Sequence, residues 1–331
     1  MLFTKNKCRF LGMLVICSLI LCSCGEIPSS VTDYSITSVS EDTAVTGGDS
    51  SSALPLLSNN LCVIPKKTKF KKDSAMRTSV SSLLINDTEN KAIYGDSIYK
   101  KMYPASITKI VTALVALKYG NLDDTVTFSY DASHITEWGA TLCGFEEGDQ
   151  INMLDLLTAF LMYSGNDAGV AIAEHIGGSV EGFAKMMNDE MRELGASRSH
   201  FVNPHGLHDD DHYTCAYDLY LVFHELTNYE TFLNIIHDKS IKIKYKNAKG
   251  KTKKIKFEAS NRYINGRMEP PQGITVVGGK TGTTSKAGSC LILYSTGDNN
   301  DHYISVILHA DSAEDLFAEM NHLLELAAKE K

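Results

Sequence analysis

Three short polar runs carry side chains able to perform acyl transfer: Ser106-Ile107-Thr108-Lys109, Ser164-Gly165-Asn166 and Lys280-Thr281-Gly282. In the first, a hydroxyl and an amine stand three residues apart, so on a helix they share one face. A serine hydroxyl is a poor nucleophile until a neighbouring base takes its proton. Lysine can be that base if burial or a nearby cation depresses its pKa and favours the neutral amine. Ile107, Ile110, Val111, Leu114, Val115 and Leu117 repeat at helical spacing around Lys109, which predicts a buried helix stopping near Gly120. Lys280 is the candidate second cation. A lone Ser-x-x-Lys usually marks a capped helix with a surface lysine, but the apolar surroundings of Lys109 argue against that here.

The second run sits where an apolar helix, Met153 to Tyr163, gives way to another over Asp167 to His175. There the Ser164 hydroxyl can pass protons and the Asn166 carboxamide can both donate and accept. Helix capping explains the same two residues equally well. The third run follows Val276, Val277, Gly278 and Gly279. An edge strand at this point can hold an extended peptide through main-chain hydrogen bonds. Gly282 would let a substrate come close to the backbone. The N–H of Thr283 with that of Ser106 can form an oxyanion hole, in which one donor is commonly worth about 3 kcal/mol.

The elements that must position these groups can be read in outline. Val80 to Ile85 and Lys91 to Tyr94 read as strands around the turn Asn86 to Asn90. Ser179 is placed to cap a helix running to Leu194-Gly195, and Asp218 to Leu226 is amphipathic. Gly288 to Ser295 and Tyr303 to His309 are apolar strands, followed by a last helix over Asp311 to Lys329. Strands at both ends of the body with helices between them predict a mixed α/β domain, its antiparallel sheet pairing N- and C-terminal strands against a helical cluster. Residues 239–256 form a lysine-rich hairpin with alternating Ile241, Ile243 and Tyr245. It reads either as a solvated protrusion or as a contact for anionic envelope polymers or lipid headgroups.

The ends and the composition bound the biology. Lys5, Lys7 and Arg9 precede a short apolar run from Phe10 to Cys22, the pattern of an export signal over residues 1–24. Leu21-Cys22-Ser23-Cys24 resembles the lipobox of bacterial lipoproteins, which implies a diacylated Cys24 as the mature N-terminus and a membrane anchor. Residues 25–61, rich in Ser and Thr, are expected to be a tether, with the folded domain over 62–331. Export permits disulfides, but Cys62, Cys143, Cys215 and Cys290 are dispersed, and buried free thiols are expected. A net charge of −8 argues against nucleic acid as a partner. No metal-binding spacing is present, and neither metal nor cofactor is expected.

The three runs in this order characterise β-lactamases and penicillin-binding proteins. Longer strings resemble the low-molecular-mass penicillin-binding proteins that are serine-type D-alanyl-D-alanine carboxypeptidases. They are Pro104 to Lys109, Ser164 to Ala168 with Gly177-Gly178-Ser179, Phe201 to Leu207 with His212-Tyr213-Thr214, and Lys280 to Thr283 with Ala287-Gly288. The resemblance covers residues 75–311 and implies a β-lactamase/transpeptidase-like fold. It further implies that Ser106 forms the acyl-enzyme, Lys109 is the base, Ser164 relays protons and Asn166 holds the peptide amide. Lys280, Thr281 and Thr283 would bind the terminal carboxylate. His205 and His212 would serve turns and packing. Peptidoglycan stem peptides and β-lactams are the implied ligands. The chain is expected to lack the β-rich second domain and the C-terminal amphipathic membrane helix of the longer members. An endopeptidase, a β-lactamase and a non-catalytic β-lactam sensor or wall-binding lipoprotein are the alternatives.

Overall fold

In the computed structural model, which describes residues 60–330, regular elements begin with β1 (Ser81–Asn86) and β2 (Lys91–Asp96). There follow α1 (Lys109–Tyr119), β3 (Thr125–Thr127), α2 (Tyr130–Ser133), β4 (Gln150–Asn152) and α3 (Met153–Met162). The helical run continues through α4 (Asn166–Gly177), α5 (Val180–Glu193), α6 (Ala216–Leu226) and α7 (Glu230–His237). Last come β5 (Ser240–Lys246), β6 (Thr252–Glu258), β7 (Ile274–Thr284), β8 (Gly288–Gly297), β9 (His302–Ala310) and α8 (Ala313–Ala328). The signal at 1–24, Cys24 and the tether through residue 59 lie outside the described residues.

The main sheet has the order β2-β1-β9-β8-β7 and its pairs are antiparallel. Its N- and C-terminal strands join where β1 pairs with β9, from Ser81 opposite Leu308 to Asn86 opposite Tyr303. Strand alternation feeds two cores. Leu83, Ile85, Ile292, Ile304 and Val306 face the cluster containing α1, α3, α4 and α6. Leu84, Leu291, Leu293 and Ile307 face α8, through Leu316, Phe317, Met320, Leu323 and Leu324. Buried on both sides, β8 and β9 therefore read as continuous apolar runs rather than alternating ones. Ser312 caps α8 by accepting from the Asp315 N–H, one of the donors an unpaired helix start leaves open.

The central helix is α1. Every residue from Lys109 to Ala116 is buried, so it is apolar on all sides because helices or sheet surround it. It contacts α3, α4, α5 and α6.

A second sheet, β3-β4-β5-β6, corrects the reading of residues 239–256 as a free-standing protrusion. The hairpin pairs with β4 through Gln150 and Lys246, and Ile243 and Phe257 are buried against the helical side. With three residues each, β3 and β4 are too short to show a period in the sequence.

Candidate active site

Pro104 leads into a short 3-10 helix, Ala105–Thr108, that runs directly into α1. Ser106 thus sits in a tight turn ahead of the α-helix rather than in its first regular turn. Ala105 adopts a left-handed backbone at φ 48°, a conformation that costs a residue with a Cβ. Gly206, itself at φ 88°, packs on it so closely that a Cβ there would lie 1.9 Å from the Ala105 carbonyl oxygen. The Thr108 hydroxyl donates to that same oxygen at 2.8 Å and meets His212 Nε2 at 2.7 Å. The Ser106 turn is therefore fixed from two sides.

Lys109 is fully buried. Its Nζ donates to Asn166 Oδ1 and to the His205 carbonyl, each at 2.7 Å, and lies 3.0 Å from Ser106 Oγ, whose hydroxyl can donate to it when the amine is neutral. Burial pushes this amine well below the usual lysine range, and the nearby Lys280 cation pushes it further down. The neutral form is what a base next to a serine requires. The Ser106 hydroxyl has Lys109 as its one hydrogen-bond partner among the described residues.

Ser164 occupies the break between α3 and α4 at φ 75°, and Asn166 is the first residue of α4. Gly165 between them has no room for a side chain, since a Cβ would come within 2.2 Å of Cys143 Sγ. Asp167 accepts from the N–H groups of Cys143 at 2.8 Å and Gly144 at 2.9 Å. The Asn166 N–H donates to the Thr141 carbonyl at 2.7 Å. These bonds clamp the loop between α2 and β4 onto the start of α4.

From the sheet, Lys280 on edge strand β7 reaches Ser164 Oγ at 3.1 Å and the Thr281 carbonyl at 3.0 Å. It is 1% exposed, and burial lowers its pKa to about 7. Gly282 has a different reason from the one its position in the motif suggested. A Cβ there would lie 2.8 Å from the Ser106 nitrogen and 3.0 Å from the Ile107 nitrogen and the Pro104 oxygen. The glycine lets β7 close onto the Ser106 turn, so the approaching backbone is the protein's own.

Ser106, Ser164, Asn166, Thr281, Gly282 and Thr283 line one cavity of about 590 Å³, with Lys109 and Lys280 buried behind its wall. His212 Nδ1 accepts from the Val202 N–H, and burial lowers its pKa to about 3. His205 is likewise pushed well down by burial. Both rings are neutral packing elements of the connection after α5. The four cysteines among the described residues, Cys62, Cys143, Cys215 and Cys290, are buried free thiols; burial holds Cys143 well above its usual range and Cys62 at about 11, and such protonated thiols are inert.

The D-alanyl-D-alanine carboxypeptidase family model matches residues 68–312. The chain belongs to that family. It is 32% identical over 269 residues to D-alanyl-D-alanine carboxypeptidase DacF of Bacillus subtilis, covering 78% of this chain and 66% of the relative. To DacA of Haemophilus influenzae it is 33% identical over 236 residues, covering 68% of this chain and 56% of the relative. The chain thus spans less than two thirds of the length of these relatives. A Streptomyces DD-transpeptidase crystal structure superposes with a TM-score of 0.68 at 24% identity, covering 75% of this chain and 97% of that one, which shows the shared fold.

Sequence reasoning gave no role to several residues that line this cavity. Ser260, whose hydroxyl lies 3.4 Å from that of Thr281, lines the cavity, as do Tyr163, Leu207, His208 and the 91% exposed Trp138. They stand in loops or at helix ends, where no period marks them. Asp167 was visible only as part of a matching string, not as the clamp of a loop.

Proposed function

We propose that the chain is a serine-type D-alanyl-D-alanine carboxypeptidase that removes the terminal D-alanine from peptidoglycan pentapeptides and is acylated by penicillin. The observation that carries this reading is the buried, pKa-depressed Lys109 amine 3.0 Å from the Ser106 hydroxyl. Family membership over residues 68–312 supports the substrate class.

In this reading the Ser106 oxygen attacks the carbonyl of the penultimate D-alanine while its proton passes to Lys109. The amides of Ser106 and Thr283 stabilise the oxyanion, helped by the contact of β7 with the nucleophile turn. The carbon–nitrogen bond breaks, and the departing amine takes a proton through Ser164, which Lys280 holds by its hydrogen bond. Water then attacks the ester carbonyl, passing a proton to Lys109, which returns one to the Ser106 oxygen as the bond to it breaks and the shortened peptide is released. Thr281 and Thr283, with Ser260 beside them, present hydroxyls to the terminal carboxylate. Lys280 supplies positive charge from behind, and a bound carboxylate favours its protonated form. Asn166 keeps its carboxamide between Lys109 and the peptide amide.

The test is incubation of the full chain with a pentapeptide ending in D-Ala-D-Ala. Free D-alanine should accumulate, and penicillin should add its mass to the peptide containing Ser106. Absence of D-alanine together with binding of intact wall fragments would defeat the enzyme reading in favour of a wall-binding role.

For location, the export signal at 1–24 and the lipobox-like string before Cys24 support a lipid-anchored protein on the outer face of the cytoplasmic membrane. Mass analysis of the mature protein from a bacterial host should give an N-terminal diacylglyceryl Cys24. An unmodified N-terminus, or one beginning elsewhere, would remove the anchor.

A further inference from the structure

The lysine-rich hairpin takes no part in the chemistry above. Nine lysines fall between residues 239 and 256 with no acidic residue among them, in a chain of net charge −8. Register sharpens the point. Lys242 stands directly opposite Lys256, and Lys244 directly opposite Lys254. All four are exposed, whereas Ile243 and Phe257 turn to the buried face. Like charges facing each other across a strand pair destabilise a sheet. Among the nine, Lys256 alone has an ion-pair partner among the described residues, Glu258 at 2.8 Å. The carboxylates of Glu146 and Asp149 act on Tyr245, which lies on the inner side of the hairpin.

The rest of that outer face is polar and concave. A groove of about 290 Å³ runs where β3, β4 and β5 meet, and its lining includes Thr125, Gln150, Asn152, Lys244 and Lys246. No carboxylate lines it. Along β5, Lys242, Lys244 and Lys246 repeat at about 7 Å, two residues of strand rise, and a second lysine row runs beside them on β6 about 4.8 Å away. Compact ammonium groups of this kind bind phosphate as point charges.

We propose that the outer face of the β3-β4-β5-β6 sheet binds a linear phosphodiester polyanion of the cell envelope. Two straight rows of fixed charge match a polymer with a repeating anion. A bilayer is the poorer fit, because membrane-surface elements add apolar side chains to their basic face, and none of the exposed large hydrophobic residues lies in the hairpin. The cross-strand repulsion is then the cost of a surface kept ready for an anionic partner. The base of the hairpin adjoins the catalytic cavity, since Phe257 packs on Tyr163 with ring centres 5.0 Å apart and Tyr163 lines that cavity. A bound polymer would hold the enzyme against the wall material around its substrate.

The probe is synthetic poly(glycerol phosphate), titrated against the full chain in non-ionic detergent, with glycerol phosphate monomer and phosphatidylglycerol-doped micelles as the other arms. The polymer should bind and the monomer should not. With about five phosphate contacts, affinity should fall roughly a hundredfold between 50 and 200 mM salt. Combining Lys242→Gln, Lys244→Gln, Lys254→Gln and Lys256→Gln should weaken polymer binding at least tenfold and raise the melting temperature by relieving repulsion. D-alanine release from a short soluble pentapeptide should stay unchanged, which separates this proposal from the catalytic reading. The two cross-strand doubles, Lys242→Gln with Lys256→Gln and Lys244→Gln with Lys254→Gln, carry the same test should the fourfold variant fail to fold. Wild-type affinity in these variants, no polymer binding at all, or binding to the anionic micelles alone would each overturn the proposal.

Discussion

Ser106→Ala should leave a folded protein that neither forms a penicilloyl adduct nor releases D-alanine. Removing a nucleophile that works with its base as one unit commonly costs on the order of 10⁴-fold or more in turnover. Here nothing can stand in for it. Among the described residues its hydroxyl has the Lys109 amine as its one hydrogen-bond partner, and the Ser164 hydroxyl is engaged by Lys280. Buried Cys143 is held protonated by its surroundings. Stability should change little, because the Thr108 hydrogen bonds to the Ala105 carbonyl and His212 and the close packing of Gly206 and Gly282 hold the turn whatever occupies position 106. Intact mass after penicillin treatment reads the adduct, and a D-alanine assay reads turnover. An adduct of undiminished yield in this variant would place the nucleophile elsewhere.

How much of this was legible in the sequence depends on the range over which each signal acts. The Ser106–Lys109 pair is local: three residues on a helix fix the distance, and the apolar positions around Lys109 announce its burial. Lys280 could be read as a second cation near Lys109, but its contact with Ser164 could not: only the sheet order, which puts β7 on the edge beside the α3–α4 break, brings those two to 3.1 Å. Gly282 shows where reasoning from type fails. A glycine announces a close approach, but whether ligand or protein makes that approach depends on what lies 3 Å away, and here it is the Ser106 turn. The hairpin declared itself through its alternation. Its docking onto β4 did not, because one residue pair, Gln150 with Lys246, leaves no pattern. Trp138 and Ser260 reach the cavity from loops, which carry function without periodicity.

Lys109→Met should abolish acylation while the fold survives, with a rate loss of about 10³-fold or more, since base removal alone commonly costs 10²–10⁴-fold and here it also leaves the serine proton without an acceptor. Methionine approximates the shape of the lysine stem in a site that is wholly enclosed. It leaves Asn166 Oδ1 and the His205 carbonyl without their donor, which costs stability, but it also removes an amine whose charged form burial penalises. The balance between these effects has a definite pH dependence. The Lys109 pKa is far lower folded than unfolded, so between the two values the unfolded chain binds more protons and wild-type stability rises with pH. Below the folded value the penalty is felt in full; above the unfolded value, near 10.4, it is gone. Lys280 adds the same slope from about 7 upward, and it is present in both proteins. The melting temperature of Lys109→Met relative to wild type should therefore be most favourable in acid and decline steadily toward pH 10. A difference that does not vary with pH would mean that Lys109 is charged in the folded protein, and it could not then take the proton of Ser106. Penicillin labelling at the wild-type rate would exclude it as the base directly.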